Sequence, residues 1–374
     1  EVLPMEYRIR RALQGMVRHS YLKDEGTALE KDIIDCSLGI NPCGVTPKLT
    51  KDMYAATFDV LASYPAHPYV ETRRHICEYF SDVASLDVSQ ISMQSGSMSA
   101  LRAVNSIFLE DGTRVLAPQP CFSSYTTDAR ACGAEVDVVP LREEDHFAFP
   151  VDEYVAAISE HHRLAYLDNP NNPTGQALSI ADLRRILTVA REKGVLVLVD
   201  EAYGDFLDKS ESALSLLDEF DNLIVTRTFS KGFGLGALRA GYIAVPKAMA
   251  DILEAFGGEM NLTTPAAAMV PVVLSDPAFL AYSRDLIAQN NQRLISGLQV
   301  LKTSATRDDV PITLFYTDQD VDLGALFWKY GIRVENGVDF EGIGKRHVRL
   351  RVPQDITELA RRLERIEAEL QAAR

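Results

Sequence analysis

Residues 195–200 read VLVLVD, five apolar side chains in a row closed by an acid. A strand with one wet face alternates apolar and polar residues, whereas a strand covered on both faces is apolar throughout. The run therefore predicts a central strand of a parallel sheet, with Asp200 at its carboxyl end. Other strand-like runs surround it at 114–117, 135–139, 164–167, 222–226 and 239–245. Between two of them, residues 179–193 place Leu183, Ile186, Leu187 and Ala190 at helical spacing. Strands alternating with helices imply right-handed crossovers and a mostly parallel sheet between helices. Sites in such sheets lie beyond the carboxyl ends of the strands, where Asp200 stands.

This pattern predicts an α/β fold with a large domain over 47–246. Residues 1–46 and 247–374 are then an N-terminal arm, with a basic segment at 7–18, and a smaller α/β domain. The latter shows helical stretches to about residue 300, strand-like runs at 312–316 and 347–352, and a closing amphipathic helix at 356–372. With 47% hydrophobic and 24% charged residues, the composition is that of a soluble globular protein. A net charge of −15 argues against nucleic acid or an anionic membrane as partner, and no apolar run approaches the ~20 residues that span a bilayer. Cys36, Cys43, Cys77, Cys121 and Cys132 are odd in number and lack metal-ligand spacing. They read as buried reduced thiols of a cytoplasmic protein, with no metal site.

Four stretches carry chemistry. Asp200 reads equally well as a helix cap or as a carboxylate facing a cation. Lys231 follows the run LIVTRTFS (223–230); a lysine there is ordinarily a solvated loop residue. NPNNPTG at 169–175 makes a rigid turn. QSGSMS at 94–99 is a small-residue turn opening a helix, which presents free N–H groups and a positive dipole end to an anion.

Together with INPCG at 40–44, YP at 64–65, SGSMSAL at 95–101, DEAY at 200–203, TFSKGFGLGALRAGY at 228–242 and VRLRV at 348–352, the turn NPNNPTG forms seven pieces in one order. In that order and spacing the chain resembles the fold-type-I, pyridoxal-phosphate-dependent aminotransferases (class I/II), and among them the histidinol-phosphate aminotransferase branch. The resemblance runs from about residue 35 to the last helix. It implies pyridoxal 5′-phosphate as cofactor, held by Lys231 as a Schiff base, with the freed lysine amine later moving a proton at the substrate α-carbon. Asp200 would keep the pyridine nitrogen protonated, so that the ring can act as an electron sink. Asn172 and Tyr203 would hydrogen-bond the ring hydroxyl, and Phe122 would stack on the ring. The N–H groups of Ser97 and Met98, with Thr228, Ser230 and Arg239, would hold the phosphate. Tyr64 would reach the neighbouring subunit's phosphate, which implies a homodimer with shared sites. Arg349 would grip the substrate carboxylate, with Asn41 near the substrate mouth.

The chain also departs from the pattern. The branch usually carries an arginine where the run Gly331-Ile332-Arg333-Val334-Glu335 has Glu335, and Arg333 meets that position only if the register slips. Ser97-Met98-Ser99 likewise replaces the acid-bearing version of the phosphate turn. Glu335 is expected as a solvated surface acid, and Arg351 as a surface or ion-paired residue. The implied reaction is transamination between a small amino acid or amino-alcohol phosphate and a 2-oxo acid. Decarboxylation of a phosphorylated amino acid, or oxidation or cyclisation of a basic amino acid such as arginine, stay open as alternatives.

Overall fold

The computed structural model describes residues 9–16 and 32–373; the basic segment 7–18 falls partly outside them. The dominant element is a seven-stranded sheet. Its members are β2 (Ile91–Gln94), β3 (Arg114–Gln119), β4 (Glu135–Pro140), β5 (His162–Asp168), β6 (Leu196–Asp200), β7 (Leu223–Thr228) and β8 (Gly241–Ala244). They lie in the order β2-β8-β7-β6-β5-β3-β4. β8 runs antiparallel to both neighbours and every other pairing is parallel. All six strand-like runs of this region appear. β2 was missed because ISMQ is short and two of its four residues are polar.

Position in the sheet explains the burial patterns. β6 and β7 are central, and Val197 to Asp200 and Leu223 to Thr228 are all buried. Edge strand β4 instead exposes Glu135 and Val138. Helix Ile180–Glu192 covers one face through the buried Leu183, Ile186, Leu187 and Ala190, and the Ser179 side chain caps it by accepting the Asp182 N–H at 3.1 Å. Helix Ser97–Phe108 covers the opposite face with Ala100, Leu101 and Val104.

The smaller unit is built on an antiparallel sheet ordered β12-β13-β10-β9, comprising Glu335–Asn336, His347–Arg351, Ile312–Tyr316 and Lys302–Thr303, covered by helix Thr357–Ala372. Beside it strand β1 (Ile34–Asp35), at the end of the arm, pairs in parallel with β11 (Ile332–Arg333). The boundary at 246 does not match the packing. Leu253 joins the core on one face of the large sheet, and Leu262, Ala266, Met269, Val270 and Leu280 join the core on the other. The smaller core takes over within helix Pro277–Ser296, at Ile287 and Leu294. Helical periodicity shows that a helix exists; it does not show which of two cores the helix covers.

Among the described residues no single helix is long and apolar enough to cross a membrane, and no group of three or more His, Cys, Asp or Glu could hold a metal. All five cysteines are free; Cys36 and Cys121 are buried, while Cys43, Cys77 and Cys132 are only half-buried.

Candidate active site

The carboxyl ends of three parallel strands meet at Asp168, Asp200 and Thr228. Asp168 is the register partner of Asp200 across β5 and β6. Asp200 is 2% exposed, and its Oδ1 accepts the Thr226 hydroxyl at 2.9 Å. Burial pushes its carboxyl up to about 7. Thr226 pulls it partly back, while Asp168 and Glu201 add to the rise. An acid so placed is costly to ionise unless a cation faces it, which is what the protonated nitrogen of a pyridine ring provides.

Asp168 was not singled out in the sequence, although it closes a buried strand just as Asp200 does. One of its oxygens accepts the N–H groups of Phe122 and Asn172, each at 3.0 Å, and the other accepts the Asn171 side chain at 2.8 Å. Burial lifts its carboxyl to about 6, offset in part by these three donors. One buried carboxylate thus ties together the two loops carrying Phe122 and Asn172. A second buried group missed in the sequence lies behind the site. Arg227 bridges Glu201 and Asp205, and Glu201 also accepts the Ser212 hydroxyl and the Ala213 N–H, each at 2.6 Å. These contacts hold the segment that bears Tyr203 against β7.

Lys231 stands in the loop after β7, with its Nζ 5.5 Å from the centre of the buried Tyr203 ring. Beside it is an anion cradle. Helix Ser97–Phe108 opens there, and its first-turn N–H groups, including those of Ser97 and Met98, have no partner within the helix itself. The Thr228 hydroxyl donates to Ser230 Oγ at 2.9 Å, and Arg239 Nη1 donates to the same oxygen at 3.2 Å. Arg239 Nη2 donates to the Ser95 carbonyl at 3.3 Å. Gly96, at φ 88°, lies so close that a Cβ there would stand 2.6 Å from Arg239 Nη2. The positive φ favours glycine there, and a Cβ would also push the Arg239 guanidinium aside.

Arg349 forms the opposite wall and is fully buried. Its Nη1 donates to Asn172 Oδ1 at 2.8 Å, and its Nη2 donates to the Ser37 carbonyl and stands 3.4 Å from Glu335 Oε2. Since Asn172 Oδ1 faces Arg349, its amide nitrogen points the other way. Gly39 closes this side: a Cβ there would overlap the Tyr203 hydroxyl at 1.7 Å.

Several expectations need correction. Glu335 is not a solvated surface acid, for its side chain is 12% exposed and lies against Arg349. Arg333 does not take that place by a register slip, because it pairs with Asp35 in β11 while Glu335 opposes Arg349 from β12. Arg351 is neither a surface residue nor, in its hydrogen bonds, ion-paired. It is 8% exposed and donates to the carbonyls of Asp35, Leu38 and Val352, fastening the arm. Asn41 is 2% exposed, and its amide is committed to the Gly232 carbonyl at 2.7 Å and Ser283 Oγ at 3.0 Å. It braces the lysine loop rather than opening toward a ligand. Phe122 is the N-cap residue of helix Ser123–Ala131 and half-buried, and Tyr64 is 84% exposed.

The residues fit pyridoxal phosphate: an amine beside a tyrosine ring, a buried acid, and a cradle of N–H groups, hydroxyls and a guanidinium. The fold and this site define a fold-type-I enzyme. Residues 31–362 match the family model "Aminotransferase class I and II", and the chain belongs to that family, whose members depend on pyridoxal 5′-phosphate. It is an aminotransferase. A histidinol-phosphate aminotransferase of Methylobacillus flagellatus is 33% identical over 304 residues, covering 81% of this chain and 80% of that protein. The crystal structure of the histidinol-phosphate aminotransferase from Clostridium acetobutylicum superposes with a TM-score of 0.78 at 21% identity, over 90% of this chain and all of that one. A Sinorhizobium meliloti histidinol-phosphate aminotransferase, solved in complex with pyridoxal-5′-phosphate, gives 0.76 at 18% identity over 90% of this chain and 91% of that chain.

Proposed function

We propose that the protein moves the amino group of a small amino acid or amino-alcohol phosphate, of the histidinol-phosphate kind its relatives are named for, to a 2-oxo acid. The observation that carries this reading is the placement of Lys231 beside Tyr203, on the loop that also frames the anion cradle. When bound, pyridoxal phosphate supplies a carbonyl carbon to receive the amino group and a ring that accepts electrons from the substrate α-carbon. Lys231 anchors it covalently and, once released, carries a proton at that carbon. A lysine amine can do this only in its neutral form, so both roles need a lowered affinity for its proton. Asp200 presents its carboxylate to the ring nitrogen and holds a proton there. Asn172 turns its amide nitrogen to the ring hydroxyl while its oxygen holds Arg349. Phe122 covers one face of the slot and keeps water off it. Ser97, Met98, Thr228, Ser230 and Arg239 bind the phosphate.

Arg349 offers a planar fork to the substrate's anionic group, a geometry that suits a carboxylate. Curated relatives named as aminotransferases do not favour decarboxylation, or oxidation or cyclisation of a basic amino acid.

The active form is a homodimer in which Tyr64 enters the partner's site. Met53, Tyr54, Phe58, Val60, Leu61 and Tyr64 are all exposed along one short segment, an apolar surface of the kind that a second subunit covers. The five free cysteines suit the reducing cytoplasm. The test is a half-reaction: amino donors added one at a time to the loaded enzyme should convert the cofactor's absorbance to that of its amine form, and a 2-oxo acid should restore it. A chain that changes the absorbance with no donor refutes the reading.

A further inference from the structure

Strand β12 is two residues long, and Glu335 is paired in register with Arg349 of β13. Residues directly opposite in an antiparallel pair project from the same face of the sheet. The backbone therefore delivers a carboxylate to the guanidinium that closes the substrate side of the site. The two groups stand 3.4 Å apart, with side chains 12% and 0% exposed. The guanidinium also donates to oxygens of Asn172 and Ser37, which are uncharged amide oxygens. Glu335 is thus the acidic group among these acceptors, and it sits where water screens little.

From this pairing we propose that Glu335 is a specificity-determining residue that sets the charge accepted by the Arg349 corner, admitting a singly charged carboxylate and disfavouring a phosphate monoester. The inference rests on the reading of Arg349 as the residue that meets the substrate's anion. A carboxylate brings one negative charge to the corner, whereas a phosphate monoester brings nearly two at neutral pH. Repulsion by the fixed Glu335 charge grows in proportion, while the guanidinium's attraction is already partly spent on Glu335. An α-amino acid is therefore the preferred donor over an amino-alcohol phosphate with the same side chain.

Histidine and histidinol phosphate are a matched pair, alike in the imidazole and different in the anion. Cofactor absorbance in the half-reaction gives kcat/KM for each with wild type, Glu335→Gln and Glu335→Arg. The expected result is that wild type favours histidine, and that Glu335→Gln moves the ratio toward histidinol phosphate by about tenfold or more, with Glu335→Arg moving it further. A second readout does not need turnover: inorganic phosphate should bind the loaded Glu335→Gln enzyme about tenfold more tightly than wild type. Unchanged donor ratios and unchanged phosphate affinity in both variants would overturn the proposal, as would a wild type that prefers the phosphate donor by more than about tenfold. Failure of every donor to react sinks the transamination reading instead, and the phosphate measurement still decides the role of Glu335.

Discussion

The two walls of the site are built in opposite ways. The side assigned to the cofactor lies along the rim of one sheet: Asp200, Lys231 and the Ser97 turn each end or follow one of its strands, although Arg239 reaches the Ser95 carbonyl across 144 residues. Thr228, Ser230 and Arg239 all fall within one loop and its return. The side assigned to the substrate is assembled at long range. Arg349 meets Asn172 across 177 residues and Ser37 across 312. A wall made from short motifs keeps its chemistry wherever the motif is kept. A wall made from three distant segments can change its charge by one substitution in a two-residue strand, as at Glu335.

The largest effect tests the wall along the sheet rim. Lys231→Ala should abolish the absorbance of covalently held cofactor and lower the transamination rate by roughly 10²–10⁴-fold, as expected when a positioned proton carrier is removed. Retention of that absorbance would break the assignment on which the comparison depends.

The next bears on the distant wall. Arg349→Lys keeps a charge but loses the fork. It should raise KM for the amino donor by about 100-fold, with little change in cofactor affinity. Equal loss of cofactor affinity would show that the two walls do not act separately.

Asp200 gives a pH signature to the cofactor-free protein. Its carboxyl rises from 3.8 to about 7 through burial. Because the folded state holds this proton more tightly than the unfolded chain, the stability linked to Asp200 is complete below about pH 4 and is lost as pH rises toward about 7. Cofactor-free Asp200→Asn should therefore outlast cofactor-free wild type at about pH 8, by up to roughly 4 kcal/mol, and match it near pH 4. Thermal unfolding at the two pH values measures this.

Smaller effects belong to the braces. Asp168→Asn removes the charge that both loops share, and should weaken cofactor binding by about tenfold while leaving the fold intact. Asn41→Ala leaves the Gly232 carbonyl without its donor and should cost about 1–3 kcal/mol of stability. Titration with the cofactor and denaturant unfolding, respectively, read these two.

What could be seen in the sequence follows the same division. Six strands and the helix at 180–192 were visible because burial on one or both faces imposes a repeat on neighbouring residues. The residues assigned to the cofactor could be picked out because their motifs are short and ordered. Asp168 was as readable as Asp200, a lone acid ending an apolar strand, yet what it holds is two loops that the chain does not place together. The helices 250–256 and 264–274 were recognised, but not their attachment to the larger core.

By itself, then, the sequence determined the parallel sheet, the place of Asp200 at its rim and the family to which the loops belong. Only the tertiary structure decided that Arg351 clamps the arm, that Asn41 braces the lysine loop and that Glu335 is buried against Arg349. The physical reason is one of range. Periodicity and turn chemistry act between residues a few positions apart, whereas the partner of a buried charge is chosen by the packing of the whole chain.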